Sequence, residues 1–266
     1  MPSSAFVVFA RAPVAGQVKT RLFRADPAVA RAALGRTLSA EDAACLHAAF
    51  VSDVLRKGQR CGFGDRWLYS ADAAEHATLS GLARDYGYTC RVQRGADLGV
   101  RMASAFTDLL APSAPSAAVG PSSAATSVIL VGTDSPTLPI AYLQQADAAL
   151  AAGHDVVLGP ACDGGYYLIG LRRPLLDLFP PDMPWGTADV LSRTLDRLAR
   201  LATQGLRSHL LPFFYDCDTP HDVRLLQQHL RWATARQGHS PQDSSQDVDA
   251  PATQAALKQL GLWGMD

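Results

Sequence analysis

Basic and acidic side chains recur in this sequence directly after short apolar runs, where they could bind phosphate or a metal ion. The first group is the loop Arg11–Leu22, in which Ala15 and Gly16 allow a tight turn and Lys19 and Arg21 supply two cations. Exposed backbone N–H groups beside cations suit a di- or triphosphate. The spacing is not that of a Walker loop. The alternative is a connection that carries ordinary surface charges.

Two aspartate segments could supply metal ligands. Asp134 follows an apolar run, and Asp216 and Asp218 follow a later one. A carboxylate at the end of a buried strand is costly unless it is paired, hydrogen-bonded or bound to a metal. Paired carboxylates suit Mg²⁺ or Mn²⁺ that is also held by substrate phosphates. The alternatives are an Asp-Ser-Pro turn at Asp134 and a helix cap at Asp218.

A fourth segment, Asp163-Gly164-Gly165-Tyr166, combines a carboxylate with glycines that let backbone approach a ligand and a tyrosine that offers a stacking face. The alternative is a β-turn with core tyrosines. Two other kinds of site fit poorly. The sequence lacks the G-x-S-x-G segment that would indicate a serine hydrolase. Four residues could suggest zinc, but their spacing matches no closed zinc site: Cys162, Cys217, His209 and His221.

Short apolar runs alternate with helical patterns along the chain. We predict strands at Phe6–Ala10, Trp67–Ser70, Thr89–Gln93, Ser127–Val131, Asp155–Gly159, Tyr166–Leu171 and His209–Phe214. We predict helix over most of Asp26–Lys57, with a start for its second half at Ser39, which Glu41 and Asp42 follow. Further helices are predicted at Ala73–Asp85, Val100–Leu110, Ile140–Ala152, Thr187–Ala202, His221–Ala235 and Ala252–Leu260. This order indicates an α/β fold, a Rossmann-like three-layer sandwich around a mostly parallel sheet. Ligands of such sheets bind beyond the carboxyl ends of the strands, where the polar segments fall.

The composition excludes several classes of protein. The chain has 266 residues, 48% of them hydrophobic, and a formal net charge of −1. These values exclude a mainly disordered chain and argue against a nucleic-acid-binding protein with a broad basic face. No apolar run is long enough to span a membrane. The five cysteines contain no C-x-x-C pair, so we expect free thiols in a reducing cytoplasm.

The domain organisation also follows from composition. We expect one domain over residues 1–236, interrupted by a flexible insertion at residues 111–127 that is rich in Ala, Ser and Pro. Residues 237–266 are expected to form a polar linker followed by a short helix.

Five motifs together resemble one bacterial family, the radical-SAM/selenodomain-associated transferase 1 group, which is also labelled as glycosyltransferases of arsenosugar biosynthesis. The resemblance runs from about Phe6 to Leu230. The motifs are F-A-R-A-P-V-A-G-Q-V-K-T-R-L, Q-R-G-A-D-L-G-V-R-M, G-T-D-S-P-T-L-P, G-P-A-C-D-G-G-Y-Y-L-I-G-L and D-C-D-T-P-H-D. V-K-T-R-L is similar to a segment of 2-phospholactate guanylyltransferases. G-T-D-S-P resembles a motif of sugar nucleotidylyltransferases, and D-C-D-T-P-H-D resembles a motif of octulosonate cytidylyltransferases.

The resemblance implies a GT-A-type fold, that of the nucleotide-diphospho-sugar transferases, and roles for individual residues. Asp134 and Asp218, with Asp216 as a third candidate, would bind Mg²⁺ or Mn²⁺. The implied nucleotide- and phosphate-binding residues are Arg11, Ala15, Gly16, Lys19, Arg21, Gln93, Asp97 and Arg101. The implied acceptor-side residues are Asp163, Gly164, Gly165, Tyr166 and Trp185. The implied catalytic residues are Asp134, Asp163, Lys19 and Arg21.

Three functions are compatible with these residues. The first is a metal-dependent glycosyltransferase that uses a nucleotide-diphospho-sugar and a small-molecule acceptor. The second is a nucleotidylyltransferase, guanylyl- or cytidylyltransferase-like, that acts on a nucleoside triphosphate and a phosphorylated small molecule. The third is a non-catalytic nucleotide-binding module, because a fold alone proves no activity.

Overall fold

The computed structural model describes residues 4–72, 76–110, 125–236 and 249–264. These residues form a seven-stranded sheet with the strand order β3-β2-β1-β4-β6-β5-β7. The strands are β1 (Ala5–Ala10), β2 (Arg66–Ser70), β3 (Thr89–Val92), β4 (Val128–Val131), β5 (Val156–Pro160), β6 (Tyr166–Leu171) and β7 (Ser208–Leu210). The predicted α/β fold with a mostly parallel sheet is confirmed.

One strand of the described sheet runs against the others. β6 is antiparallel to both β4 and β5, whereas β1 pairs in parallel with β2 and β4, β2 with β3, and β5 with β7. The six parallel strands therefore end at one edge of the sheet, and β6 begins there. The loops that follow β1, β4, β5 and β7 consequently meet at this edge.

Helices cover both faces of the sheet. They are α1 (Thr20–Phe23), α2 (Pro27–Leu34), α3 (Ala40–Arg60), α4 (Ala77–Tyr86), α5 (Leu98–Leu110), α6 (Ile140–Ala151), α7 (Val190–Ala202), α8 (Pro220–Arg236) and α9 (Pro251–Gln259). Alternate residues of β1 point to opposite faces, as strand geometry requires. Phe6 and Val8 pack in one core with α3, α4 and α6, and Val7 and Phe9 pack in a second core with α5 and α7. A third core joins α3, α8 and α9.

Several predicted boundaries need correction. The helical stretch predicted over most of Asp26–Lys57 is two helices, because Gly35 ends α2 with a φ of 68°. The start predicted for its second half at Ser39 is confirmed, since Ser39 begins α3 with a capping box. The strand predicted at His209–Phe214 spans only Ser208–Leu210, and Phe214 rejoins the sheet through a single bridge to Ala161. Pro212, which has no N–H to donate, lies in the interrupted stretch.

Parts of three predicted segments lie outside the described residues: 73–75 of the predicted helix Ala73–Asp85, 111–124 of the insertion, and 237–248 of the linker. In the described part of the chain, no helix is long and apolar enough to cross a membrane.

Candidate active site

The ammonium group of Lys19 lies between two carboxylates that come from distant parts of the chain. Lys19 Nζ is 2.5 Å from Asp134 Oδ1 and 2.9 Å from Asp218 Oδ1, and it also donates to the Cys217 carbonyl at 2.8 Å. The Lys19 side chain is 3% exposed, whereas those of Asp134 and Asp218 are 47% and 34% exposed. The loops after β1, β4 and β7 therefore converge on one buried cation.

The backbone at Lys19 is unusual. Among the described residues, Lys19 is the only non-glycine residue with a positive φ, at 48°. This left-handed conformation costs of order 1–3 kcal/mol for such a residue and is found most often at functional sites. Lys19 immediately precedes α1, and its Nζ lies 5.2 Å from the centre of the Phe50 ring on α3. The turn thus directs the side chain inward, below the exposed carboxylates.

The ion pair is charged at neutral pH. Burial disfavours the protonated form of Lys19, but the carboxylates of Asp134 and Asp218 outweigh it and raise the pKa of the ammonium above its usual value. Burial likewise opposes ionisation of Asp134, yet Lys19 lowers the pKa of that carboxyl below its usual value. The two partners keep each other ionised.

A second pair of carboxyl groups, Asp163 and Asp216, lies beside this ion pair. Burial, the nearby Asp163, and then Asp134 and Asp218 raise the pKa of Asp216 to about 7. Ser135 Oγ donates to Asp216 Oδ1 at 3.0 Å and opposes the rise. Asp216 therefore exchanges its proton near neutral pH, mainly because it is buried.

One backbone hydrogen bond and one side-chain hydrogen bond hold the two aspartate loops together. The Cys217 N–H donates to the Asp134 carbonyl at 2.9 Å, and Ser135 Oγ donates to the Tyr215 carbonyl at 3.0 Å. The loop between β7 and α8 is therefore fastened directly to the loop after β4. This contact brings Asp134 and Asp218 together, as their places after strand ends predicted.

Asp218 does not cap α8, so that alternative is wrong. Asp222 Oδ2 accepts from the backbone N–H groups of Asp218 (3.1 Å) and Thr219 (2.7 Å). Thr219 Oγ1 lies 3.4 Å from the Asp222 N–H, so Thr219 and Asp222 form the reciprocal cap at this helix start. The carboxylate of Asp218 remains available to Lys19 and the site.

Two connected cavities open at the carboxyl edge of the sheet. We call them the large cavity, of about 610 Å³, and the small cavity, of about 350 Å³. Both volumes lie in the range of small-molecule sites. The residues shared by the two linings are Arg21, Leu98, Gly132, Asp134 and Asp218. The carboxylate pair therefore stands where the cavities meet.

Most of the predicted site residues line one of these cavities. Those of the large cavity are Arg11, Lys19, Arg21, Gln93, Asp97 and Arg101. Those of the small cavity are Asp163, Gly165, Tyr166, Trp185 and Asp216, together with the shared Arg21, Asp134 and Asp218. Ala15, Gly16 and Gly164 lie in the neighbouring loops and are not among the lining residues.

Several large-cavity residues also hold their own loop in shape. Asp97 Oδ1 accepts from the Val100 N–H at 2.9 Å and caps α5. Arg101 Nε donates to the Gly95 carbonyl at 3.0 Å, and Gln93 Nε2 donates to the Tyr69 carbonyl at 2.9 Å. Arg21 is different: its side chain is 68% exposed, and Nη1 lies 3.7 Å from Asp218 Oδ2. Of the two cations predicted in this loop, Arg21 is thus the one that is exposed to solvent.

Sequence reasoning missed His47, which lines the large cavity from α3. His47 Nε2 donates to the Arg11 carbonyl at 3.1 Å, and its Nδ1 is buried with no hydrogen-bond partner. Burial lowers the pKa of this imidazole, which favours the neutral form. Nothing in the surrounding helical sequence distinguishes His47 from a core residue. Ser135 was also missed, although its place next to the predicted Asp134 was a signal that could have identified it.

The residues that could suggest zinc do not form a zinc site. Cys217 is buried and Cys162 is exposed. Within residues 4–72, 76–110, 125–236 and 249–264, no group of three or more His, Cys, Asp or Glu side chains is arranged to hold a metal by itself. A metal at this edge of the sheet would therefore need ligands from a substrate or from water.

Comparisons with known proteins agree with this architecture. Residues 54–187, just over half of the chain, match the model of the family described as "Uncharacterized protein conserved in bacteria (DUF2064)". This match includes Asp134 and Asp163 and ends before Asp218. None of the curated proteins that were compared with the chain matches it.

Two solved structures share the fold over the full chain. A "putative nucleotide-diphospho-sugar transferase" from Desulfovibrio desulfuricans G20 is 28% identical, with a TM-score of 0.68 and all of both chains covered. A cytidylyltransferase from Leptospira borgpetersenii serovar Hardjo-bovis is 8% identical, with a TM-score of 0.52, and the match covers 100% of this chain and 99% of that one. At 8% identity the second likeness shows the fold alone.

Proposed function

The chain belongs to the DUF2064 family, and we propose that it is a glycosyltransferase. In this proposal a nucleotide-diphospho-sugar binds in the large cavity, and a small-molecule acceptor binds in the small cavity. The observation that carries the proposal is the meeting of Asp134 and Asp218 at the junction of the two cavities. A sugar bound at this junction would lie beside the acceptor, and holding two reactants in this way is a large part of catalysis.

The carboxylates at the junction fit a divalent cation. Their donor atoms are oxygens, the ligands that Mg²⁺ and Mn²⁺ prefer, and two further carboxyl groups, Asp163 and Asp216, line the same cavity. Asp134 and Asp218 would hold the ion, with Asp216 as a third candidate. When bound, the ion would offset the charge of the departing diphosphate.

Lys19 is a positioning residue in this proposal. Protein acceptors take all three of its ammonium hydrogens, so Lys19 orients the two carboxylates and keeps Asp134 ionised. The contacts to phosphate then fall to the other cations that line the large cavity, Arg11, Arg21 and Arg101. Their exposed or half-buried side chains can reach a ligand without breaking the ion pair of Lys19.

Asp163 is the candidate group for the acceptor. It lies in the turn between β5 and β6, and its Oδ1 accepts from the Gly165 N–H at 2.8 Å. This bond fixes the carboxylate while Oδ2 remains available in the small cavity. We assign to Asp163 the orientation of an acceptor hydroxyl and the removal of its proton.

The proposal is tested by calorimetry with a panel of nucleotide sugars, each with and without Mn²⁺. The parent chain should bind at least one of them in a metal-dependent manner, and Asp134→Asn should abolish the metal dependence. Asp65→Asn is a matched control, because Asp65 is exposed and precedes β2 at the opposite edge of the sheet. Absence of metal-dependent binding to every nucleotide sugar rejects the proposal.

A second candidate function is nucleotidyl transfer from a nucleoside triphosphate to a phosphorylated small molecule. Three arginines that line the large cavity, Arg11, Arg21 and Arg101, favour it, because a triphosphate carries more charge than the diphosphate of a nucleotide sugar. Release of pyrophosphate from the triphosphate would select this function over glycosyl transfer. Nucleotide binding by the parent and by Asp134→Ala with equal affinity, and turnover by neither, would instead indicate a non-catalytic module.

A further inference from the structure

The indole ring of Trp185 contacts the backbone of Gly99. A Cβ atom built on Gly99 would lie 2.5 Å from both Cζ2 and Nε1 of Trp185 and 2.6 Å from its Cε2. These distances are far shorter than carbon–carbon contact distances of about 3.5–4.0 Å. A side chain at position 99 and the present position of the indole are therefore incompatible.

The helix itself gives no reason for a glycine at this position. Gly99 lies in the first turn of α5, and its φ is not in the left-handed region. Alanine is favoured over glycine inside a helix by roughly 1 kcal/mol. The absence of a side chain at position 99 is therefore explained by the indole of Trp185, which occupies the space that a Cβ atom would need.

An aromatic row supports the other side of Trp185. The Trp185 ring stacks on Phe179 at a centroid distance of 6.3 Å, and Phe179 stacks on Phe106 of α5 at 5.9 Å. Phe106 and Phe179 belong to the buried core beneath the sheet edge. Trp185 also lines the small cavity. If the indole is displaced from Gly99, the cavity is the open space into which it can move.

We propose that Gly99 determines which acceptors the enzyme uses, because it sets the position of Trp185 and thereby the width of the small cavity. This inference rests on the proposed function, in which that cavity holds the acceptor. The aromatic faces of Trp185 and Tyr166 and the carboxylate of Asp163 line the same cavity. These groups suit a small hydroxylated acceptor with one apolar face, which packs on the rings while a hydroxyl reaches the carboxylate.

The test compares Gly99→Ala with Gly81→Ala. Gly81 lies inside α4, and a Cβ built on it has no atom within 4 Å. Gly81→Ala therefore also replaces a helical glycine by alanine but creates no clash with a neighbouring side chain. We expect Gly99→Ala to lower kcat/KM for the acceptor by up to about a hundredfold, the loss that a misplacement of about 1 Å can cause, and to do so through a higher acceptor KM. The affinity for the nucleotide sugar should change little, and Gly81→Ala should match the parent in both.

A second background separates the contact from a general effect on folding. In Trp185→Ala, which lacks the indole, the further change Gly99→Ala should leave the acceptor KM unaltered. An unchanged acceptor KM in Gly99→Ala alone, or an equal effect of Gly99→Ala with and without Trp185, overturns the inference.

A spectroscopic readout keeps failure of the inference distinct from failure of the proposed function. Near-ultraviolet circular dichroism should differ between Gly99→Ala and the parent and should not differ between Gly81→Ala and the parent. If the parent transfers no sugar to any acceptor, the proposed function fails on its own. An unchanged spectrum of Gly99→Ala would then overturn the displacement of Trp185 as well.

Discussion

Lys19 shows how a buried cation can be tolerated at the edge of a sheet. Its ammonium has three hydrogens, and the three acceptors are Asp134, Asp218 and the Cys217 carbonyl. A buried charge without such partners would cost several kcal/mol. The same contacts fix the distance between the two carboxylates, so the residue that stabilises the loops also shapes the site.

Replacement of Lys19 by methionine should destabilise the fold and abolish the site. The change leaves Asp134 and Asp218 close together without their shared cation. Removal of one partner of a fully buried pair costs ~3–5 kcal/mol, and we expect about 1–3 kcal/mol here because both carboxylates are partly exposed to water. Urea denaturation measures the loss. Lys258→Met on the surface of α9 is the control, and equal stability of the two variants would contradict the role of Lys19.

His229 makes the stability of the fold depend on pH. Burial lowers the pKa of its imidazole, and Nδ1 lies 2.8 Å from Tyr215 Oη. Between the lowered native pKa and the unfolded value of about 6.5, the unfolded chain binds a proton that the folded chain does not. The free energy of unfolding should therefore fall as pH drops through this window, by at most ~1.4 kcal/mol per pH unit for this group.

The measurement is chemical denaturation at several pH values between 5.5 and 7.5. His229→Gln cannot take up this proton, so its free energy of unfolding should depend less steeply on pH than that of the parent. The comparison uses slopes, because the variant also alters the hydrogen bond to Tyr215. Identical slopes would show that His229 titrates alike in the folded and unfolded chains.

At the scale of elements, the loops after β4 and β7 define the site, and their convergence was predictable. Apolar runs located both strand ends, and parallel strands deliver their ends to one edge. The sequence pattern could not predict the reversed direction of β6, since a fully buried strand has the same apolar pattern in either direction. Nor could it predict the bridge from Lys19 to both carboxylates or the cavity position of His47, because these depend on how distant elements pack.

The start of α8 should affect binding as well as stability. Asp222→Ala removes the acceptor that holds the backbone N–H groups of Asp218 and Thr219. We expect a loss of ~1–2 kcal/mol, as for other helix caps, together with weaker Mn²⁺ and nucleotide binding as Asp218 loses its support. Asp42→Ala is a matched control, because Asp42 holds the same position in the capping box of α3.

Denaturation and calorimetry on both variants distinguish the two effects. Asp42→Ala should lose comparable stability and keep the affinity of the parent. An Asp222→Ala variant that binds as tightly as Asp42→Ala would show that Asp218 needs no support from α8.

At the scale of the whole molecule, α9 packs on the helix that lies beneath the site. Asp53 on α3 accepts from the N–H groups of Ala252 and Thr253 at the start of α9, at 3.1 and 2.7 Å. Asp249 pairs with Arg56 at 2.6 Å and with Arg60 at 3.0 Å. Since α3 also carries His47 and Phe50, the same helix connects the C-terminal region to the site around Lys19.

Loss of the apolar contact of α9 should destabilise the fold. Leu257 is fully buried in the core that joins α3, α8 and α9. Leu257→Ala should cost ~2–5 kcal/mol, the range for buried leucines. Leu225→Ala, at a position 47% exposed on α8, should change stability by less than about 0.5 kcal/mol. Equal midpoints of thermal unfolding for the two variants would show that α9 contributes little.

The reversed strand β6 makes the segment between Ala161 and Gly165 a natural place for redesign. Both flanking strands are locked into the centre of the sheet, and the Ala161 N–H donates to the Gly165 carbonyl at 3.0 Å, which closes the hairpin at its base. Exchange of Asp163 would therefore alter the chemistry that this tip presents, whereas Gly164 must remain glycine, because its φ is 89° and an added Cβ would collide with the backbone of Ala188. A library confined to Cys162 and Asp163, the exposed residues of the tip, could change which ligands the small cavity binds without refolding the protein.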